Sequence, residues 1–270
     1  MSAVMNPPPR DDPQVTALRV PPQSIEAEQA VLGGLLLDNS AFDRVADVVR
    51  EEDFYRQDHR LIWHQIARLI ERSQPADVVT VYEALQSLGK AQEAGGLSYL
   101  SALAQETPSA ANIRRYAEIV RERSVLRKLV AELAQGERGL IMVMGKGGVG
   151  KTTIAAAIAL GLVQQGKSVH LTTTDPAAHL AVTLNGEVPG LSVGRIDPQA
   201  ETQKYVDKIV AARSATLTED EKALLIEDLR SPCTEEVAVF HAFSHVVSQA
   251  RSAFVVMDTA PTGHSLLLMD

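Results

Sequence analysis

"GLIMVMGKGGVGKTTIAAAIAL", residues Gly139 to Leu160, decides how the rest of the chain is read. Its first six residues, Gly139–Met144, form an apolar run of strand length. Glycines at 145, 147, 148 and 150 then allow a tight turn that other residues resist. From Lys151 onward, "KTTIAAAIALGLVQQG" is helix-forming. Strand, glycine turn and helix follow in that order, and Gly145 to Thr152 fits G-x-x-x-x-G-K-[ST]. In that pattern backbone N–H groups curl inward toward phosphate oxygens, and the helix that follows adds the positive end of its dipole. Gly145, Gly147, Gly148, Val149, Gly150, Lys151, Thr152 and Thr153 are therefore the candidate nucleotide-binding residues. Lys151 is expected at the β- and γ-phosphates, and the Thr152 hydroxyl on Mg²⁺. Lys146 is an extra lysine near the start of the loop.

Two more apolar runs resemble the first. "SVHLTTTD" (168–175) and "AFVVMD" (253–258) each end in an aspartate, Asp175 and Asp258. Strands separated by helical stretches predict a parallel sheet, with the chemistry at the carboxyl ends of its strands. One aspartate there would support a metal ion and the other would orient or deprotonate an attacking water. The alternative for each, read alone, is a strand-end turn residue.

Before Gly136 the pattern is different. Residues 1–22 are rich in proline and charge and predict a disordered tail. No strand pattern interrupts residues 24–135, and about six helices are expected there. Ser24 precedes "IEAEQAVLGGLLLD", with Glu26 and Glu28 placed to face the positive end of a helix. Ile62, Ile66, Leu69 and Ile70 fall on one helical stripe, as do Ile113, Tyr116 and Val120. "TVYE", Thr80 to Glu83, has capping-box spacing. Arg114, Arg115, Arg121, Arg123, Arg127 and Lys128 crowd one helix, but Glu118 and Glu122 interleave with them. That reads as a solvated face with i,i+4 pairs rather than a nucleic-acid surface. The expected organisation is a tail at 1–22, an all-α domain at 23–135 and an α/β domain at 136–270.

Composition agrees with this division. The chain has 270 residues and a formal net charge of −8, with 15 basic against 19 acidic residues in 1–135 and 11 against 15 in 136–270. Neither half has the basic excess expected of strong phosphate-backbone binding, so direct DNA contact is expected to be weak or absent. One cysteine, Cys233, excludes an internal disulfide and fits a reducing compartment. No apolar run approaches the roughly 20 residues that span a bilayer, so a cytoplasmic location is expected.

The α/β half resembles the arsenite-pump-driving ATPase family. "GKGGVGKTTIAAAIA", "TTTDPAAHL", "LRSPCTEEVAVF" and "VVMDTAPTGHSLLLMD" carry the likeness, in order, across about 136–270. The second nucleotide-binding half of that family is the closer match. The resemblance implies a P-loop ATPase using ATP and Mg²⁺ as a homodimer or higher oligomer beside a membrane arsenite pump. It makes Lys146 a signature lysine that reaches a partner's nucleotide, Asp175 the water-positioning aspartate and Asp258 the aspartate beside Mg²⁺. It also places Cys233 and His264 at positions that bind As(III) or Sb(III) as an effector. Thiolate and imidazole are suitable ligands for a soft metalloid. On residues alone, a single cysteine is more often an inert buried thiol and His264 a loop residue. The family's first half is absent and the chain stops at Asp270, so a C-terminally incomplete parallel sheet is expected.

The helical half resembles the N-terminal domain of the replicative DNA helicase of the DnaB type. "VPPQSIEAEQAVLGGLLLDNSAFDRV", "DFYRQDHRLIWHQIARL", "GGLSYLSALAQETPSAANI" and "YAEIVRERSVLRKL" carry it, over about 20–130. This implies a self-associating collar domain that meets helicase or primase. Nothing in the chain matches the helicase motor, so strand unwinding is not expected. One pattern stops where the other begins, near Gln135–Gly139, as in a gene fusion or an assembly artefact that mimics one.

Overall fold

The computed structural model describes residues 21–107, 110–174, 188–213 and 218–259. They divide into two compact units that meet along the chain at Leu129 and Val130.

The first unit is helical. Its elements are α1 (Ile25–Leu37), α2 (Gln57–Glu71), α3 (Val78–Ser87), α4 (Gly96–Glu106) and α5, which begins here and runs Ile113–Leu133. Three short 3-10 segments lie between them, at Asn39–Arg44, Glu51–Asp53 and Ala110–Asn112. Five α-helices among the described residues thus stand where about six were expected. Ser24 caps α1, its Oγ accepting from the Ala27 N–H at 3.3 Å. Glu28 does not face the solvated helix end. It is buried, and its carboxylate accepts from the Tyr55 N–H at 2.6 Å and lies 2.6 Å from His59 Nδ1. The capping box of α3 sits three residues before its expected place. Asp77 is the N-cap and accepts from the Val79 and Thr80 N–H groups, while the Thr80 hydroxyl accepts from the Asp77 N–H. Asp77 offers a carboxylate to two orphan N–H groups where Thr80 would offer one hydroxyl, so the helix starts earlier.

The core of this unit joins Leu32, Leu35, Phe54, Ile62, Ile66, Leu85, Leu100 and Ile113, all fully buried. Gly33 lets α1 and α4 approach: a Cβ there would lie 2.1 Å from the Leu103 carbonyl oxygen. A buried charge also holds α5 in place. Asp53 is fully buried and accepts from Arg121 Nη1 at 2.8 and 2.9 Å, Ser124 Oγ at 2.6 Å and Lys128 Nζ at 3.0 Å. Arg127 donates to the carbonyls of Pro22 and Asp53, both at 2.6 Å. Half of the cationic row is thus turned to internal acceptors. Arg114 and Arg115 pair on the surface with Glu118 and Glu122 as the spacing suggests.

The second unit holds β1 (Gly139–Val143), α6 (Lys151–Gln164), β2 (Val169–Thr173), β3 (Leu191–Arg195), α7 (Pro198–Arg213), α8 (Glu219–Asp228), α9 (Pro232–Gln249) and β4 (Phe254–Asp258). The described strands form one parallel sheet in the order β1-β4-β2-β3. The three strands expected from sequence are present, and β3 joins them at an edge. Register sets Val143 and Thr173 beside Asp258, so three strands end at one level. Alternation then divides the faces. Val255 and Met257 pack with Val239 and Val246 of α9. Asp258, one residue on, turns to the other face and meets α6 through Thr152.

Candidate functional site

The site is built at the common end of β1, β2 and β4. The chain leaves β1 at Val143, turns through the glycine loop and enters α6 at Lys151. Gly148 has φ 77° and Gly150 φ 84°, in the left-handed region that a side chain disfavours. Gly150 is also the N-cap of α6 and brings no side-chain acceptor to its first N–H groups. Those groups and the helix dipole are therefore left to a ligand carrying negative charge.

Lys151 is 7% exposed and donates from Nζ to the Lys146 carbonyl at 3.0 Å. Its ammonium is folded back along the loop. The Lys146 side chain is exposed. Val149 and Thr153 stand in the turn and the first turn of α6, and Val149 is exposed.

Beside the loop lies Asp258, fully buried. One of its carboxylate oxygens, Oδ2, accepts from the Thr152 hydroxyl at 2.8 Å and from the Thr173 hydroxyl at 3.2 Å. The backbone clamps the same point: the Thr174 N–H donates to the Asp258 carbonyl at 3.0 Å, and the Thr259 hydroxyl donates to the Val143 carbonyl at 2.9 Å. A hydroxyl and a carboxylate in contact are oxygen donors of the kind a hard cation such as Mg²⁺ prefers.

The structure thus brings together Lys146, Lys151, Thr152 and Asp258, which the sequence nominated. Thr173 and Thr259 also belong to the cluster. Their signal was only position, one at the end of an apolar run and one directly after an aspartate. Asp175 and His264 lie outside the described residues. Cys233 is exposed, at the second residue of α9. Among the described residues no cluster of three His, Cys, Asp or Glu side chains has metal-binding geometry.

Comparison with known proteins separates the two halves. The family described as Anion-transporting ATPase matches residues 138–270, and the family described as DnaB-like helicase N terminal domain matches residues 20–122. The chain carries two family signatures in succession. The arsenical pump-driving ATPase of Escherichia coli is 54% identical over 176 residues, covering 65% of this chain and 30% of that protein. The replicative DNA helicase DnaB of Geobacillus stearothermophilus is 50% identical over 112 residues, covering 42% of this chain and 25% of that protein. A crystal structure of the N-terminal domain of DnaB helicase from Mycobacterium tuberculosis is 42% identical, with a TM-score of 0.42, and covers 43% of this chain and 84% of that one. The chain therefore spans less than a third of the length of either curated relative. Among the described residues no helix is long and apolar enough to cross a membrane.

Proposed function

We propose that the second unit binds Mg·ATP at residues 145–152 and hydrolyses it as an arsenite-pump-type ATPase module, in a homodimer or higher oligomer. One observation carries this reading: the Thr152 and Thr173 hydroxyls converge on a single oxygen of buried Asp258, beside a lysine folded into a glycine loop. The loop N–H groups bind the phosphates. Lys151 exchanges the Lys146 carbonyl for the β- and γ-phosphate oxygens. Thr152 and Asp258 hold Mg²⁺, which supplies charge neutralisation at the phosphates. Asp175 orients the attacking water, and Lys146, exposed on its loop, contacts the nucleotide of a second copy. Catalysis is then largely electrostatic, since the groups that offset transition-state charge are positioned beforehand. Cys233 lies exposed at the start of α9, where As(III) or Sb(III) would bridge it to His264 or to another subunit. The test is ATPase rate with and without antimonite, beside Lys151→Ala. Equal background rates in the two proteins sink the proposal.

A second reading is supported by the 50% identity of the helical part to a replicative helicase. In it the helical unit self-associates and meets helicase or primase, and the ATPase part is inert. Light scattering of the full chain, alone and with primase, tests it. A strict monomer that ignores primase argues against it. A membrane arsenite pump is the partner that the first reading calls for.

A further inference from the structure

Thr173 differs from the other groups around Asp258, because the phosphate-loop pattern does not ask for it. It is the last residue of β2, and the β2–β4 register sets it directly beside Asp258. Both residues are fully buried. The Thr173 hydroxyl donates to Asp258 Oδ2 at 3.2 Å, and the same oxygen accepts from the Thr152 hydroxyl at 2.8 Å.

The two donors are held differently. The Thr173 carbonyl accepts from the Ile196 N–H at 3.0 Å, just past β3. The next residue, Thr174, donates its N–H to the Asp258 carbonyl, also at 3.0 Å. The backbone that carries the Thr173 hydroxyl is therefore tied from both neighbouring strands. Its branched Cβ restricts the side chain further. Thr152 is half-buried and lies in the first turn of α6, directly after the glycine loop. Its position follows that loop. The terminal torsion of an aspartate is soft, so a carboxylate is easily turned about it. A single donor on α6 would let the Asp258 carboxylate turn with the loop. A second donor, on the sheet, fixes its plane.

We infer that Thr173 is a positioning residue for the metal site: its hydroxyl fixes the Asp258 carboxylate beside Thr152, so that Mg²⁺ arriving with the nucleotide meets oxygens already in place. This rests on the nucleotide reading of residues 145–152 and adds to it. Thr173 touches neither nucleotide nor metal and acts through Asp258. Groups that orient a metal ligand in this way govern metal affinity without ligating. Thr173 also stands two residues before Asp175. The same bond thus joins the metal aspartate to the strand that leads to the aspartate given to the attacking water.

The experiment is calorimetric titration of the full chain with ATP, in EDTA and then at rising Mg²⁺. Wild type is compared with Thr173→Val, Thr173→Ser and Thr172→Val. Valine keeps the shape of threonine and loses the hydroxyl. Thr172 is as deeply buried but alternates to the other face of β2, so its valine variant controls for strand damage. In Thr173→Val the Mg²⁺ concentration that half-maximally strengthens ATP binding should rise about tenfold, the lower end of the effect of an outer-shell partner. ATP affinity in EDTA should stay at the wild-type value. Thr173→Ser should restore the Mg²⁺ dependence, and Thr172→Val should leave it unchanged. An unaltered Mg²⁺ dependence in Thr173→Val overturns this inference and leaves the nucleotide reading standing. A matching loss of affinity in EDTA, or failure of serine to restore, gives Thr173 a merely structural role and overturns it too. No ATP binding by the wild type removes the nucleotide reading and this inference with it.

Discussion

The two units place buried polar groups differently. In the helical unit Asp53 and Glu28 are saturated by neighbours of the same unit, and the bonds tie distant segments together. In the sheet unit Lys151, Thr173 and Asp258 collect at one end of the strands, beside a loop whose N–H groups have no side-chain cap. The first arrangement closes on itself and stabilises a shape. The second sits beside a helix start with no side-chain cap, which suits a ligand carrying negative charge. A buried charge therefore says little about function until its partners are located.

This contrast predicts where substitutions act. Trp63 is the only tryptophan, and it is buried in the helical core, so its fluorescence follows that unit. Gly33→Ala should have the largest effect, about 3 kcal/mol lost in denaturant titrations, because the added methyl meets a backbone carbonyl that cannot move aside. Asp53→Asn should cost about 2 kcal/mol by the same measurement, since its cations are half-exposed and recover solvent.

Acid sharpens the same point. Burial pushes the Asp53 carboxyl up, but the Ser124 hydroxyl, the Lys128 ammonium and the Arg50 N–H outweigh it and hold the group below the usual carboxylate range. A carboxyl depressed on folding stabilises above its unfolded pKa, and that stabilisation fades as pH falls through the folded value. The Asp53→Asn deficit should therefore be constant at neutral pH and shrink only below about pH 4. A deficit unchanged down to the acid limit would contradict the assignment. Tyr99→Phe is the smallest, about 1 kcal/mol, for the loss of its contacts with His59 Nε2 at 2.7 Å and Gln29 at 3.3 Å. None of these should alter nucleotide affinity if the sheet unit acts alone.

Sequence legibility follows the same divide. Local patterns are readable: the apolar runs became β1, β2 and β4, and Ser24 caps α1. Strand β3, "LSVGR", was not foreseen, because an exposed edge strand of five residues containing glycine lacks the apolar run of a buried one. The cationic row on α5 was half misread. Arg121 and Lys128 meet Asp53 across 68 and 75 residues of chain, and no local spacing reveals such a partner. At the site, Lys151, Thr152 and Asp258 stood in readable motifs, but Thr173 joins them only through the β2–β4 register.

The most direct test is calorimetric titration of the full chain with MgATP, beside Lys151→Ala. A folded phosphate site predicts saturable heat in the wild type and at least tenfold weaker binding in the variant, on the order of 1.4 kcal/mol. Absence of heat from both proteins, or equal affinity in the two, would contradict the assignment of residues 145–152 as a nucleotide site.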